Sequence, residues 1–251
     1  MRRIREMSEE NQTIEKEEQR ETPSRSVAEY IKRYIFLVVG LAIMSFGVAF
    51  SINAELGTSP VSSIPYVTSE ISGLSVGTTT IIVNTIIVLL QIVVLRRRFK
   101  LIRLLQIPVC VVFGLLIDVA GLCIEAVVPD NYFMQWLLCV CGIVLVAVGV
   151  AFEMSAGVLT LAGEGLVQAL CTVLPKVKFG YMKVMVDVSF VVIAVALSFI
   201  FLHELQGVRE GTVAAAIFVG LIAKFLNRFI SPVANKLFAD GKRLKLSHGN
   251  T

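Results

Sequence analysis

The chain has 251 residues, of which 56% are hydrophobic and 17% charged, with a formal net charge of +4 and a mean hydropathy of +0.80. That composition excludes an ordinary soluble domain. The apolar runs are continuous, several approaching the roughly 18–20 residues that cross a bilayer, which points to a polytopic all-α membrane protein and away from an alternating β-barrel. The small positive excess reads as membrane topology rather than as a nucleic-acid footprint.

In chain order, residues 1–30 read as a flexible charged cytoplasmic tail. Arg2, Arg3 and Arg5 give way to Glu9, Glu10, Glu15, Glu17 and Glu18, and no apolar core of a secretory signal precedes Tyr34. Six strong apolar segments follow, at about 34–53, 78–95, 102–123, 134–154, 181–202 and 212–231. Two weaker ones, at about 60–72 and 161–174, carry polar residues and are short for a crossing. Residues 232–251 read as a basic cytoplasmic tail, with Lys242, Arg243 and Lys245 suited to anionic headgroups.

Basic residues orient the spans. Lys32 and Arg33 precede the first, "RRRFK" (96–100) follows the second, Arg103 opens the third, and Lys176 and Lys178 precede the fifth. Six crossings put these clusters on one side, the cytoplasm, together with both termini. The weak segments must then enter and leave on one side. Eight full crossings, the second reading, would move "RRRFK" outside.

The two halves resemble each other. "GLAIMSFGVAF" (40–50) aligns with "GIVLVAVGVAF" (142–152), pairing Gly40 with Gly142 and Gly47 with Gly149. The same offset pairs Ala54 with Ala156 and Thr58 with Thr160. One residue later Gly77 pairs with Gly180 and Asn84 with Asp187, and further on Gly114 lies over Gly220, setting Asp118 opposite Lys224. The first membrane repeat is thus 31–123 and the second 134–231, joined by an external linker, 124–133. Three crossings per repeat invert the second copy, the architecture of many secondary transporters with broken or re-entrant helices at the repeat interface. Thr58 and Ser59 are competent helix N-caps and Pro60 suits a first helical position, so "GTSP" reads as the start of a short helix. An amphipathic helix lying at the interface is the plainer alternative.

"AELGTSP…LSVGTTTIIVN" together with "REGTVAAAIFVGLIAKF" resembles the YczE/YyaS/YitT-type bacterial integral membrane proteins, over roughly residues 30–235. The motifs that carry the likeness are Leu56-Gly57-Thr58-Ser59-Pro60, Ser75-Val76-Gly77-Thr78 and Glu210-Gly211-Thr212. The resemblance implies a multi-pass protein of the bacterial cytoplasmic (inner) membrane; it supplies no substrate, cofactor or catalytic residue.

Ionisable and polar residues inside spans are costly and therefore candidates for function. Lys183 and Asp187 stand four apart on one helix face, as a site or as an internal ion pair. Glu164, between Gly163 and Gly165, and Gln168 share a face of the second weak segment; Glu164 is a proton-coupling group or a helix cap. With Thr58, Ser59, Ser62 and Asn84 they form the expected substrate-binding set. Asp118 and Lys224 form an expected interhelical pair or gate. Glu55 and Glu153, near span ends, read as snorkelling or capping residues. The five cysteines lie in or at the ends of apolar segments and read as small hydrophobes, with no metal site and no cofactor.

The leading expectation is a secondary transporter of a small polar or charged solute, working by alternating access and coupled to H⁺ or Na⁺. A passive channel is a near relative. A non-transporting accessory or scaffold protein of a cell-envelope or export system is the second class. No H-E-x-x-H, G-x-S-x-G or nucleotide-binding loop occurs, so the chain reads as neither enzyme nor primary pump. The expected partners are a small molecule or ion and the lipid bilayer, without nucleic acid, and with homo-oligomerisation left open.

Overall fold

The computed structural model describes residues 27–247, with side chains through Phe238. The expected N-terminal tail lies outside the described residues, except that the first helix already begins at Val27. Eight α-helices run through the described residues: α1 (Val27–Asn53), α2 (Pro60–Ser72), α3 (Val76–Leu95), α4 (Gln106–Ile124), α5 (Tyr132–Ala156), α6 (Ala162–Val173), α7 (Phe179–Leu197) and α8 (Glu210–Ser247). Six of them, all but α2 and α6, are long and apolar enough to cross a membrane. With 13 and 12 residues, α2 and α6 extend only about 20 Å, short of a hydrocarbon core of about 30 Å.

One end of the bundle is basic. Arg33 of α1 donates to the Ala156 carbonyl at the end of α5, and Arg98 donates to the Thr172 carbonyl near the end of α6. Lys32 reaches the Leu237 carbonyl of α8. At the opposite end Asn53 donates to the Ile124 and Val127 carbonyls, and Tyr132 lies against Glu210.

The core is built on the crossing of α1 and α5, where glycines bring two backbones together, as packing in lipid favours. A Cβ at Gly40 would stand 3.1 Å from the Gly149 carbonyl oxygen, and one at Gly47 would stand 2.8 Å from that of Gly142. The reciprocal contacts, Gly149 on Gly40 and Gly142 on Gly47, are 2.7 and 2.8 Å. Gly77 and Gly114 do the same for α3 and α4. Their counterparts Gly180 and Gly220 have nothing within 4 Å, and α7 and α8 make at most a glancing contact.

Two differences from the sequence pattern have clear physical causes. The last helix continues through Pro232 to Ser247 instead of ending near 231, because Phe238 gives it an anchor on α1. That ring packs edge-on against Phe36, whose own ring stacks on Phe152, and lies 4.4 Å beneath the Arg33 guanidinium. Asp118 and Lys224 do not pair. Asp118 accepts hydrogen bonds from the Gly77 N–H and the Ser75 hydroxyl, both at 2.7 Å. It thereby satisfies the start of α3, where carboxylates are favoured. Lys224 is exposed on α8.

Candidate functional site

The chain between α1 and α2 is held away from regular structure by backbone contacts. Thr58 N–H donates to the Gly207 carbonyl, Gly211 N–H to that of Leu56, and Arg209 to that of Glu55. Gly57, at φ +91°, takes a conformation that side chains resist. Ser59 then stands at the N-cap position in extended geometry, with Pro60 opening α2. Its hydroxyl donates to that of Ser62 rather than capping the helix. Gly73, in the left-handed region, closes α2 by donating to the Ser69 carbonyl.

The start of α6 is organised by buried side chains from three other elements. Glu153, 1% exposed on α5, accepts the Leu161 N–H at 2.7 Å. Gln91 of α3 donates to the Ala162 carbonyl and to Gln106 of α4. Arg103 lies 3.4 Å from the Gly165 carbonyl. Non-helical backbone at membrane depth must have such partners.

The first residues of α2 and α6 meet: a Cβ on Gly163 would lie 3.0 Å from Val61. Between them lies a cavity of about 160 Å³. Its polar wall holds Ser59 just before α2, Ser62 of α2, Glu164 of α6, Glu153 of α5, and Lys183 and Asp187 of α7. Met44, Val48, Phe113, Val146 and Val150 give it an apolar floor. Lys183 is committed to Asp187 at 3.1 Å. Glu153 and Glu164 have no salt-bridge partner among the described residues, and both line this one small cavity.

Two further cavities flank this one. The first, of about 350 Å³, opens toward the Glu55 end and is lined in part by Ser51, Ile52, Glu55, Gly57, Thr58 and Tyr66. The second, of about 240 Å³, lies toward the basic end and is lined in part by Glu153, Met154, Gly157, Leu159, Thr160 and Gln168. Each residue of the second set stands 102 positions after its counterpart in the first. One position later, Ile102, Arg103 and Gln106 of the second cavity match Leu205, Gln206 and Arg209 of the first. Glu153 lines both the basic-end cavity and the central one.

Two buried side-chain atoms lack a hydrogen-bond partner among the described residues, Thr58 Oγ1 and Glu153 Oε2. They lie at the two dividers. Thr58 borders the Glu55-end cavity next to Ser59 of the central one, and Glu153 sits between the central and basic-end cavities.

Of the expected site residues, Ser59, Ser62, Glu164, Lys183 and Asp187 come together in the central cavity. Thr58 lines the Glu55-end cavity and Gln168 the basic-end one instead, Gln168 reaching Thr160 at 3.5 Å. Asn84 is buried on α3 but lines none of the three. Sequence reasoning missed Gln91, Gln106 and Arg103, and it read Glu153 as a snorkelling or capping residue near a span end. Glu153 does cap, accepting the Leu161 N–H, but it is buried rather than snorkelling. The available signal was its counterpart Ser51, found by extending the same offset.

A family of unknown function (DUF6198) matches residues 31–228. The chain belongs to that family. Among curated proteins it is similar to the uncharacterized protein YyaS of Bacillus subtilis (strain 168), 26% identical over 120 residues, covering 47% of this chain and 58% of the relative's length. It is also similar to the uncharacterized membrane protein YczE of the same organism, 30% identical over 200 residues, covering 78% of this chain and 86% of the relative. The matched part therefore spans little more than half of YyaS. No solved structure matches the chain. The family and its relatives make this a membrane protein with several spans and name no activity.

Proposed function

We propose that the protein is a secondary transporter of a small charged or polar solute, working by alternating access between two inverted repeats. The observation that carries the reading is the central cavity, where two short helices meet by their first residues around four ionisable side chains. Flanking cavities are built from residues one repeat apart. Inversion is supported by the reciprocal contacts of Gly40 with Gly149 and Gly47 with Gly142. Residues at equivalent positions exchange partners in this way when two helices cross antiparallel about a two-fold axis.

On this reading α2 and α6 are re-entrant, entering from opposite sides and meeting near the bilayer centre. The basic end faces the cytoplasm of a bacterial cell, by the distribution of Lys and Arg, and carries both termini. Solute reaches the central cavity past Thr58 and Ser59 from outside and past Glu153 and Leu161 from inside. Alternating access requires the two dividers to open one at a time. The unpacked Gly180 and Gly220, against the closed Gly77 and Gly114, make one repeat looser than the other, as a conformation with unequal gates requires.

The test is thermal stabilisation of the purified protein across a broad metabolite panel, with Glu164→Gln and Asp187→Asn as controls. At least one compound is expected to stabilise the native chain and to lose its effect in both variants. A compound whose stabilisation survives both substitutions would place its binding elsewhere and overturn the proposed site.

A further inference from the structure

We propose that the central cavity takes a small organic ammonium ion, bound by the Glu153–Glu164 carboxyl pair in exchange for one proton. The inference rests on the transporter reading for the route of the solute, though not for the binding site. Every charged group facing the pair is accounted for. Lys183 and Asp187 of α7 neutralise each other at 3.1 Å. Arg103, beside Glu153 in the basic-end cavity, directs its guanidinium at the Gly165 carbonyl and Gln91. Cys110 of α4 is the remaining titratable neighbour of Glu153. In the central cavity α1 contributes Met44 and Val48, and α8 contributes Ala215, Ala216, Val219 and Gly220.

That leaves three carboxyl groups, those of Glu153, Glu164 and Asp187, around a single ammonium, Lys183, which is already bound to Asp187. Glu153 Oε2 has no donor among the described residues, and Glu164 can serve as one only by carrying a proton. Two carboxyls in such proximity share a proton or hold a cation between them. A protonated pair with one negative charge accepts R–NH₃⁺, releases H⁺ to solvent, and ends as two carboxylates around the ammonium. Charge is conserved: minus one plus one on each side of the exchange.

The rest of the cavity selects the kind of cation. Among the described residues no group of three or more His, Cys, Asp or Glu side chains is placed to hold a metal ion. The apolar floor of Met44, Val48, Phe113, Val146 and Val150 suits a hydrocarbon body. A volume of about 160 Å³ matches a molecule about the size of benzene. The Ser59 and Ser62 hydroxyls can accept the remaining ammonium hydrogens.

Calorimetric titration of the full chain in lipid nanodiscs with n-butylammonium chloride, in two buffers of different ionisation enthalpy, tests the site. The expected result is saturable binding with release of about one proton per amine, not displaced by 1-butanol or sodium chloride. Glu164→Gln, which removes no hydrogen bond to backbone, is expected to bind at least about tenfold more weakly and to release no proton. Unchanged binding in Glu164→Gln and Glu153→Gln, both with native unfolding temperatures, would overturn the proposal. So would equal competition by 1-butanol, or binding of sodium with none of amine. Vesicle flux separates the two readings. Amine binding without flux would leave this site standing and overturn transport; flux of a panel compound with no amine binding would do the reverse.

Discussion

Glu153, in the last turn of α5, accepts the backbone N–H of Leu161 at 2.7 Å, so a carboxylate from a membrane span caps the short helix that follows it. This contact ties down the turn in "AGVLTLAGEG" between α5 and α6, because the start of α6 has no capping side chain of its own. Glutamine keeps an oxygen that can accept; alanine does not. Glu153→Ala is expected to lose about 1–3 kcal/mol of stability and Glu153→Gln less than about 1. Equal losses in denaturant unfolding of the two variants would mean that the hydrogen bond is not what holds the segment.

The crossing of α1 and α5 predicts a sharp contrast between glycines. A Cβ at Gly47 would fall 2.6 Å from the Val146 backbone nitrogen, whereas Gly121 on α4 has nothing within 4 Å. Gly47→Ala is expected to destabilise by roughly 1–3 kcal/mol, and Gly121→Ala to be neutral or to gain up to about 1 kcal/mol. Thermal unfolding of both variants in one detergent checks the pair. Similar shifts would contradict the close approach.

Asp118 acts as a cap and not as a gate partner. Asp118→Ala removes the acceptor of Gly77 and Ser75 and is expected to cost about 1 kcal/mol. Lys224→Gln is expected to stay within about 0.5 kcal/mol of the native chain. A double variant less damaged than the sum of the two would restore an interaction that the geometry lacks.

Topology has its own test. In a chain whose five cysteines are replaced, Glu55→Cys is expected to react with a membrane-impermeant maleimide in intact cells. Arg97→Cys is expected to react only after the membrane is opened. Labelling of both from outside would remove the inversion.

Much of the fold was legible because bilayer thickness and backbone satisfaction leave few choices. The segment 60–72 follows from Pro60 at its start and Gly73 at its end, and α2 has those bounds. The glycine repeat located the most extensive crossing, that of α1 and α5. It misled at Asp118 and Lys224, because equivalent places in two similar stretches of sequence need not be neighbours in space. Gly40 and Gly47 do touch the neighbourhood of their counterparts. The burial of Glu153 escaped notice because hydropathy places the residue where a span ends. Its burial depends on the chain from Gly157 to Leu161 folding back over α5, a tertiary event with no periodic signature. Gln91 and Gln106 were invisible for the same reason: Gln91 donates to a backbone carbonyl 71 residues away, and Gln106 accepts from Gln91.

Alternating access makes one demand that neither a scaffold nor a one-sided pocket satisfies, and Ser62 in the central cavity is placed to test it. A single Ser62→Cys in the cysteine-free chain, reconstituted in vesicles, can be exposed to an impermeant thiol reagent from either side in separate experiments. The account predicts modification from both sides, at rates that a bound solute changes in opposite directions. Modification from one side alone, whatever ligand is present, would contradict it.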